Sequence, residues 1–297
     1  MRISTSQFQN ESVIRMLEQQ SKLSEVQQQI STGKRLLSPA DDPAAAARIL
    51  DLKEIISINE QYLRNTDLVQ ARLETEDDAL TSIINVYQRI RELTVQSLNS
   101  PLQQVDRDAI AVELKQQLSE LTGLASRKDV SGDYLFSGFK GNTNPITDNG
   151  SGTYTYAGDQ GNRSIQIGPN RTIQDTDNGY DLFFNVPGTT ENAFSVVYNL
   201  ITSLGTNTQT GASLTDMDAV MDNVIQYRSG TGARLNALET QTGVNEGLVL
   251  QSKQLLSDLE DLDFAEAVTE LNLRRTGLEA AQQAYIRIQG LSIFNFL

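Results

Sequence analysis

Residues 44–99 read AAAARILDLKEIISINEQYLRNTDLVQARLETEDDALTSIINVYQRIRELTVQSLN and contain neither glycine nor proline. Within them Tyr62, Thr66, Val69, Leu73, Glu76, Leu80, Ile83, Tyr87, Ile90 and Thr94 alternate steps of four and three. A stripe on that spacing faces a neighbour over many turns, the pattern of coiled-coil or bundle packing rather than of a compact globular helix. At 1.5 Å per residue the run predicts a rod of about 80 Å. Thr66, Glu76 and Thr94 weaken the stripe, so it is not a pure two-stranded seam.

Upstream, Ser38-Pro39-Ala40-Asp41-Asp42-Pro43 starts the rod, with Asp42 as a cap and Pro43 suited to the first helical position. Before it, residues 10–31 carry Ile14, Leu17, Leu23, Val26 and Ile30 among Gln, Ser and Glu, a weak helix that needs packing on one face. Ser31-Thr32-Gly33-Lys34-Arg35 breaks that helix. Downstream, Asn99-Ser100-Pro101 ends the rod. Ser100 is the expected cap of the next helix, with Gln103 at the box position and Ile110, Leu114, Leu118, Leu121 and Ala125 as its apolar face. The short link predicts an antiparallel hairpin.

Composition changes at Gly132. Residues 132–211 hold most of the glycines and only three basic residues, Lys140, Arg163 and Arg171. Thr153–Ala157 and Ser164–Ile167 alternate as strands do, and Gly179–Phe184 reads as another strand. Asn192–Leu204 reads as a short helix. Helical spacing returns at Leu214 and runs to Leu262, with a break expected on propensity at Gly230-Thr231-Gly232. Asp263, with Glu266 three residues on, opens a last helix whose apolar residues include Phe264, Leu271, Leu278, Tyr285 and Ile288. Side-chain charge stops after Arg287, and Leu291, Ile293, Phe294, Phe296 and Leu297 make an oily segment that calls for a partner surface.

The chain has 297 residues, a net charge of −14, and no Cys, His or Trp. Disulfides, the usual zinc ligands and Ser-His-Asp or Cys-His nucleophile systems are excluded. The acidic balance argues against nucleic acid. No run approaches the roughly 20 apolar residues of a membrane span, and residues 1–7 lack the pattern of a cleaved signal peptide. No cofactor, metal or catalytic residue is expected.

The motifs that might carry chemistry each have a plainer reading. Asp175-Thr-Asp177-Asn178-Gly179 resembles a calcium loop, but Gly is one position early and Val186 stands where Glu is needed, so a turn is preferred. Gly33-Lys34 lacks the other residues of a phosphate loop. Gly230-Thr-Gly232 follows no strand, as a nucleotide fingerprint would. Asp41-Asp42 is a helix cap rather than an acid–base pair.

ISTGKRLLSPADDPAAAARI (30–49), Asp106–Ile110 with Glu113-Leu114, Gly232–Leu235 and Glu260–Ala265 together resemble the terminal signatures of bacterial flagellins and their hook–filament junction relatives. Gly132–Gly138 and Leu291–Leu297 are similar to the junction branch. Through the Gly230 region the resemblance implies a continuous helix. It also implies a mainly α fold: an elongated antiparallel long-helix bundle or coiled coil built from both chain ends, with a small β-rich insertion. The expected domains are 1–45 with 250–297 as a terminal coiled coil, 46–131 with 212–249 as a rod, and 132–211 as an outer insertion.

By the same resemblance the chain is a structural subunit that joins hook and filament as a tubular layer; the alternative is a filament flagellin. The implied partners are copies of itself, a hook-associated protein on the hook side, flagellin on the filament side, and an export chaperone at the carboxyl-terminal helix. The implied location is extracellular, reached by type III export without a cleaved signal. The residues expected to carry assembly are Ile14, Leu17, Leu23, Val26, Leu271, Leu278, Tyr285, Ile288, Leu291, Ile293, Phe294, Phe296 and Leu297.

Overall fold

The heptad run forms one uninterrupted helix, α2 (Pro43–Leu98), of 56 residues. It was obtained in a computed structural model that describes residues 5–98, 102–208 and 211–290. Helix α1 (Thr5–Thr32) precedes it. Asp42 caps α2 as expected, its Oδ1 accepting the Ala45 N–H at 3.0 Å. From Thr66 to Thr94 every position of the α2 stripe is buried, the polar ones included. Thr66 and Thr94 manage this by donating to the carbonyls of Leu63 and Ile90, both at 2.7 Å.

Helix α3 (Gln104–Ala125) folds back along α2, with Arg89 and Glu113 paired at 2.6 Å. Its expected cap at Ser100 lies outside the described residues. The helix instead starts at Gln104, and the Asp106 carboxylate accepts the Gln103 N–H at 3.2 Å. Two antiparallel hairpins follow: β1 (Ile146–Asp148) with β2 (Tyr154–Tyr156), and β3 (Ser164–Gly168) with β4 (Arg171–Gln174).

The strand expected over Gly179–Phe184 is instead a π-helical turn, Tyr180–Phe184. Asn178 decides this. Its Oδ1 accepts the N–H groups of both Tyr180 and Asp181, at 2.8 and 3.1 Å, and so turns the chain at the point where a strand would extend. Leu182 and Phe183 are buried together, which strand alternation would forbid. Helix α4 (Ala193–Thr206) begins at an Asn192 cap, whose side chain accepts the Ser195 N–H at 2.8 Å.

Helix α5 (Ala212–Glu260) corrects the break expected on propensity: it runs through Gly230 and Gly232 without interruption. A Cβ at either glycine would meet nothing within 4 Å. The glycines therefore weaken the helix only through backbone entropy, and packing of the flanking turns, with Val224 and Leu238 buried, offsets that cost. Helix α6 (Phe264–Gly290) closes the described chain.

Two compact units result: Met1–Ile58 with Leu248–Leu297, and Asn59–Gly247. In the second, one apolar core joins Leu80, Ile83, Tyr87 and Ile90 of α2 to Leu114 and Leu121 of α3, Phe136 and Phe183 of the insertion, α4, and Met217, Val220 and Val224 of α5. A smaller cluster sets Val69 and Leu73 against Ile167, Ile173 and Leu238. Most of the chain's excess of acidic over basic residues falls in this second unit; the first is close to balanced.

Beside the smaller cluster lies a buried charge cluster. Arg72 pairs with Asp129 at 2.9 Å and stands 3.5 Å from Asp175. Arg163 reaches Asp175 at 2.7 Å, and Arg234 pairs with Asp177. The charges of the Asp-rich turn are thus paired with guanidinium groups. Asp129, Asp175 and Asp177 anchor the insertion to α2 and α5, because a buried carboxylate without a partner would be far too costly.

Candidate assembly interface

The first unit is built on pairing of α1 with α6. Phe264, at the start of α6, lies beside Gly33, just past the end of α1. At the other end, Ser12, Arg15, Met16 and Gln19 line one groove with Leu273, Arg274, Gly277, Ala281, Ala284 and Tyr285. The two helices are therefore antiparallel.

Most of the covered side chains fall on heptads, with Lys22, Gln29 and Glu270 half-covered beside them. The heptad positions on α1 are Ser12, Met16, Gln19, Leu23, Val26 and Ile30; on α6 they are Ala267, Leu271, Arg274, Leu278, Ala281 and Tyr285. Both sets step by four and three, as a supercoiled seam requires. Only Val26 and Ala267 are fully buried, at 5% exposure each. Toward the Met16–Tyr285 end the seam is open and apolar. Arg274 sits in it with its charge met by Glu270 at 3.0 Å.

The expected assembly residues divide into three groups. Leu23, Val26, Leu271, Leu278 and Tyr285 lie in the seam. Ile14 and Leu17 lie on the other side of α1, 63% and 60% exposed. Leu291, Ile293, Phe294, Phe296, Leu297 and the side chain of Ile288 lie outside the described residues. The sequence reading passed over two more exposed apolar residues of α6: Ile286, at 67%, and Leu273 on the rim of the seam groove, at 71%. Met16 and Gln19 were also missed as seam positions. Counting heptads back from Val26 would have found both.

At the Gly33 end the chain turns in a loop held almost entirely by polar contacts. Gly33, at φ +68°, accepts the Leu262 N–H through its carbonyl at 3.0 Å. The Arg35 N–H donates to the Glu260 carbonyl at 2.8 Å, and its guanidinium donates to the Leu259 carbonyl at 3.1 Å. The Asp41 carboxylate accepts the N–H groups of Leu37 and Ser38, at 3.1 and 2.8 Å. Glu260 takes Lys34 at 2.6 Å and Lys53 at 3.1 Å. The Lys34 hydrogen bond, ahead of Lys53, holds the Glu260 carboxyl below its ordinary range despite partial burial. These bonds account for the Gly-Lys-Arg and Pro-Ala-Asp-Asp residue types without any phosphate or acid–base chemistry.

With its polar groups so occupied, the loop turns Leu36, Leu37 and Pro39 toward Ala47, Ile49 and Leu50 of α2 and leaves an open apolar groove of about 500 Å³. Among the described residues no group of His, Cys, Asp or Glu is placed to hold a metal, and no helix is long and apolar enough to cross a membrane.

Residues 3–141 match the model for the bacterial flagellin N-terminal helical region. Over 99% of both chains, the protein is 25% identical to flagellar hook-associated protein 3 of Escherichia coli K12. Nearly half of the chain is thus similar to the amino-terminal region of bacterial flagellins. The likeness to a Salmonella rubislaw flagellin is higher in identity, 36%, but spans only 41% of this chain and 23% of that one. Among solved structures, a hook-associated protein-3 of Legionella pneumophila covers 71% of this chain and 98% of itself, with a TM-score of 0.66 and 21% identity. A putative hook-associated protein of Vibrio parahaemolyticus gives 0.68 and 23%, over 74% and 100%. Those two likenesses bear on the fold, with its long terminal helices and small strand-containing region.

Proposed function

We propose that the chain is a structural subunit of the bacterial flagellum that joins hook to filament, its terminal helices packing with those of neighbouring copies in a tubular layer. The observation that carries this reading is coverage: the likeness to hook-associated protein 3 runs the full length of both chains, whereas that to flagellin is partial. The exposed apolar residues Ile14, Leu17, Leu273 and Ile286 support contact through the terminal helices, since a solvated helix pair gains nothing from them. Leu291, Ile293, Phe294, Phe296 and Leu297 follow α6 in sequence and add five apolar residues. Contacts between unlike faces of successive copies build open assemblies.

On this reading the partners are further copies, a hook-associated protein on one side, flagellin on the other, and an export chaperone at the carboxyl-terminal helix. The chain works outside the cell at the hook–filament junction, exported without a cleaved signal, and is not an enzyme. The three-part division at 45/46, 131/132, 211/212 and 249/250 belongs to the same reading. Immunogold labelling of flagellated cells tests it: label at the hook tip is expected, and label along the whole filament or confined to the cytosol would overturn it. The second reading, a filament flagellin, draws on the 36% identity of the shared segment and expects the purified chain to form long filaments alone.

A further inference from the structure

The groove beside the Gly33 loop and the segment Leu291–Leu297 are matched in character. The groove walls are Leu36, Leu37, Pro39, Ala47, Ile49 and Leu50, and Leu50 stands 69% exposed. Of its rim charges, Lys34 is paired with Glu260, which also takes Lys53. It therefore offers an occupant mainly apolar surface with its rim charges engaged. Residues 291–297 read LSIFNFL: five apolar side chains, two small polar ones, and no charge.

Their positions keep them apart within one chain. Phe264 places the start of α6 at the groove end of the unit, beside Gly33. The 27 residues of α6 then carry the chain away by about 40 Å. A seven-residue segment spans at most about 25 Å fully extended. The segment cannot return to its own groove.

The geometry points to a head-to-tail contact in which Leu291–Leu297 of one copy occupies the Leu36–Leu50 groove of the next. This rests on the assembly reading above and adds to it the receptor surface and the direction of the contact. The groove is held ready by the hydrogen bonds of Arg35, Asp41 and Glu260, so little ordering is lost on its side when the segment arrives. Because the last described turn of α6 and the groove lie at opposite ends of the α1–α6 pair, the contact joins different copies and not the two ends of one.

The chain contains no cysteine, so the test is clean. Full-length Leu50→Cys and Phe294→Cys chains are mixed and oxidised, with Met16→Cys as the seam control. Immunogold label at the hook tip is followed in parallel in cells carrying wild type or a 291–297 deletion. The expected result is a 50–294 cross-link between chains, several-fold over the 16–294, 50–50 and 294–294 products and suppressed by a synthetic LSIFNFL peptide. It also requires that the double variant, Leu50→Cys with Phe294→Cys, form no intrachain bond at high dilution. A preferred 16–294 bond, an intrachain 50–294 bond, or no bond at all overturns the groove assignment. Loss of hook-tip label on deletion with no 50–294 bond leaves the assembly reading standing and removes only the groove. Hook-tip label indifferent to the deletion counts against the reading itself.

Discussion

Glu76 Oε1 accepts the backbone N–H of Asp177 at 2.9 Å, and the Arg234 guanidinium that pairs with Asp177 stands 4.0 Å from the other Glu76 oxygen. Three guanidinium groups, of Arg72, Arg163 and Arg234, thus face four carboxyl groups, of Glu76, Asp129, Asp175 and Asp177. The cluster is neutral when one of the four holds a proton. Glu76 is the one that burial, and then the nearby Asp177 charge, push up to about 8 against the pull of Arg234.

Stability should therefore decline with alkali. Between the ordinary value of 4.5 and about 8 the folded chain keeps a proton on Glu76 that the unfolded chain releases. The contribution is complete below 4.5 and is lost as pH rises through about 8. Thermal unfolding followed from pH 6 to 9 should show this fall, and Glu76→Gln, which mimics the protonated form, should flatten it.

Arg72→Met should cost about 3–5 kcal/mol in urea unfolding, because it leaves Asp129 without its guanidinium and Asp175 with only the partly exposed Arg163. Arg228→Ala, which breaks an exposed pair with Asp77, should change stability by less than about 1 kcal/mol. Similar losses for the two would refute the anchoring role given to the buried cluster.

The two faces of α1 should separate in their effects. Val26→Ala, in the closed part of the seam, should lower the stability of α1–α6 pairing by about 2 kcal/mol and reduce helicity by circular dichroism. Ile14→Ala with Leu17→Ala should leave monomer helicity unchanged and weaken association in sedimentation.

Gly230→Ala and Gly232→Ala should each stabilise α5 by about 0.8–1 kcal/mol, since helical backbone at these sites has open space for a methyl group. Gly33→Ala should do the reverse, by about 1–2 kcal/mol. Its φ of +68° disfavours any side chain although the nearest atom, on Phe264, is 3.7 Å away. Chemical denaturation of the three variants checks both signs.

The long helices were legible because a stripe such as Val69-Leu73-Glu76-Leu80 repeats over enough turns to outvote any single residue. Short elements offer no such redundancy. Gly179–Phe184 looked like a strand because its β-formers are intrinsic, whereas the Asn178 side chain that turns it is one local contact. Strands β1 and β4 were not anticipated, being three and four residues long and defined by partners more than by pattern. The apolar extremities pointed to assembly from sequence alone. The groove did not, because Leu36, Leu37 and Leu50 become one surface only when Asp41 and Arg35 have bent the loop over α2.

The uneven spread of acid along the chain bears on how crowded copies tolerate one another. Residues 1–58 and 248–297 are nearly balanced in charge, so they can be packed densely without mutual Coulomb repulsion, and their association should vary little with ionic strength. Residues 59–247 carry the surplus, and any approach between copies through that portion should be resisted in dilute buffer and relieved by salt. Electrostatics alone then disfavours contact between copies through residues 59–247 more than through the terminal residues.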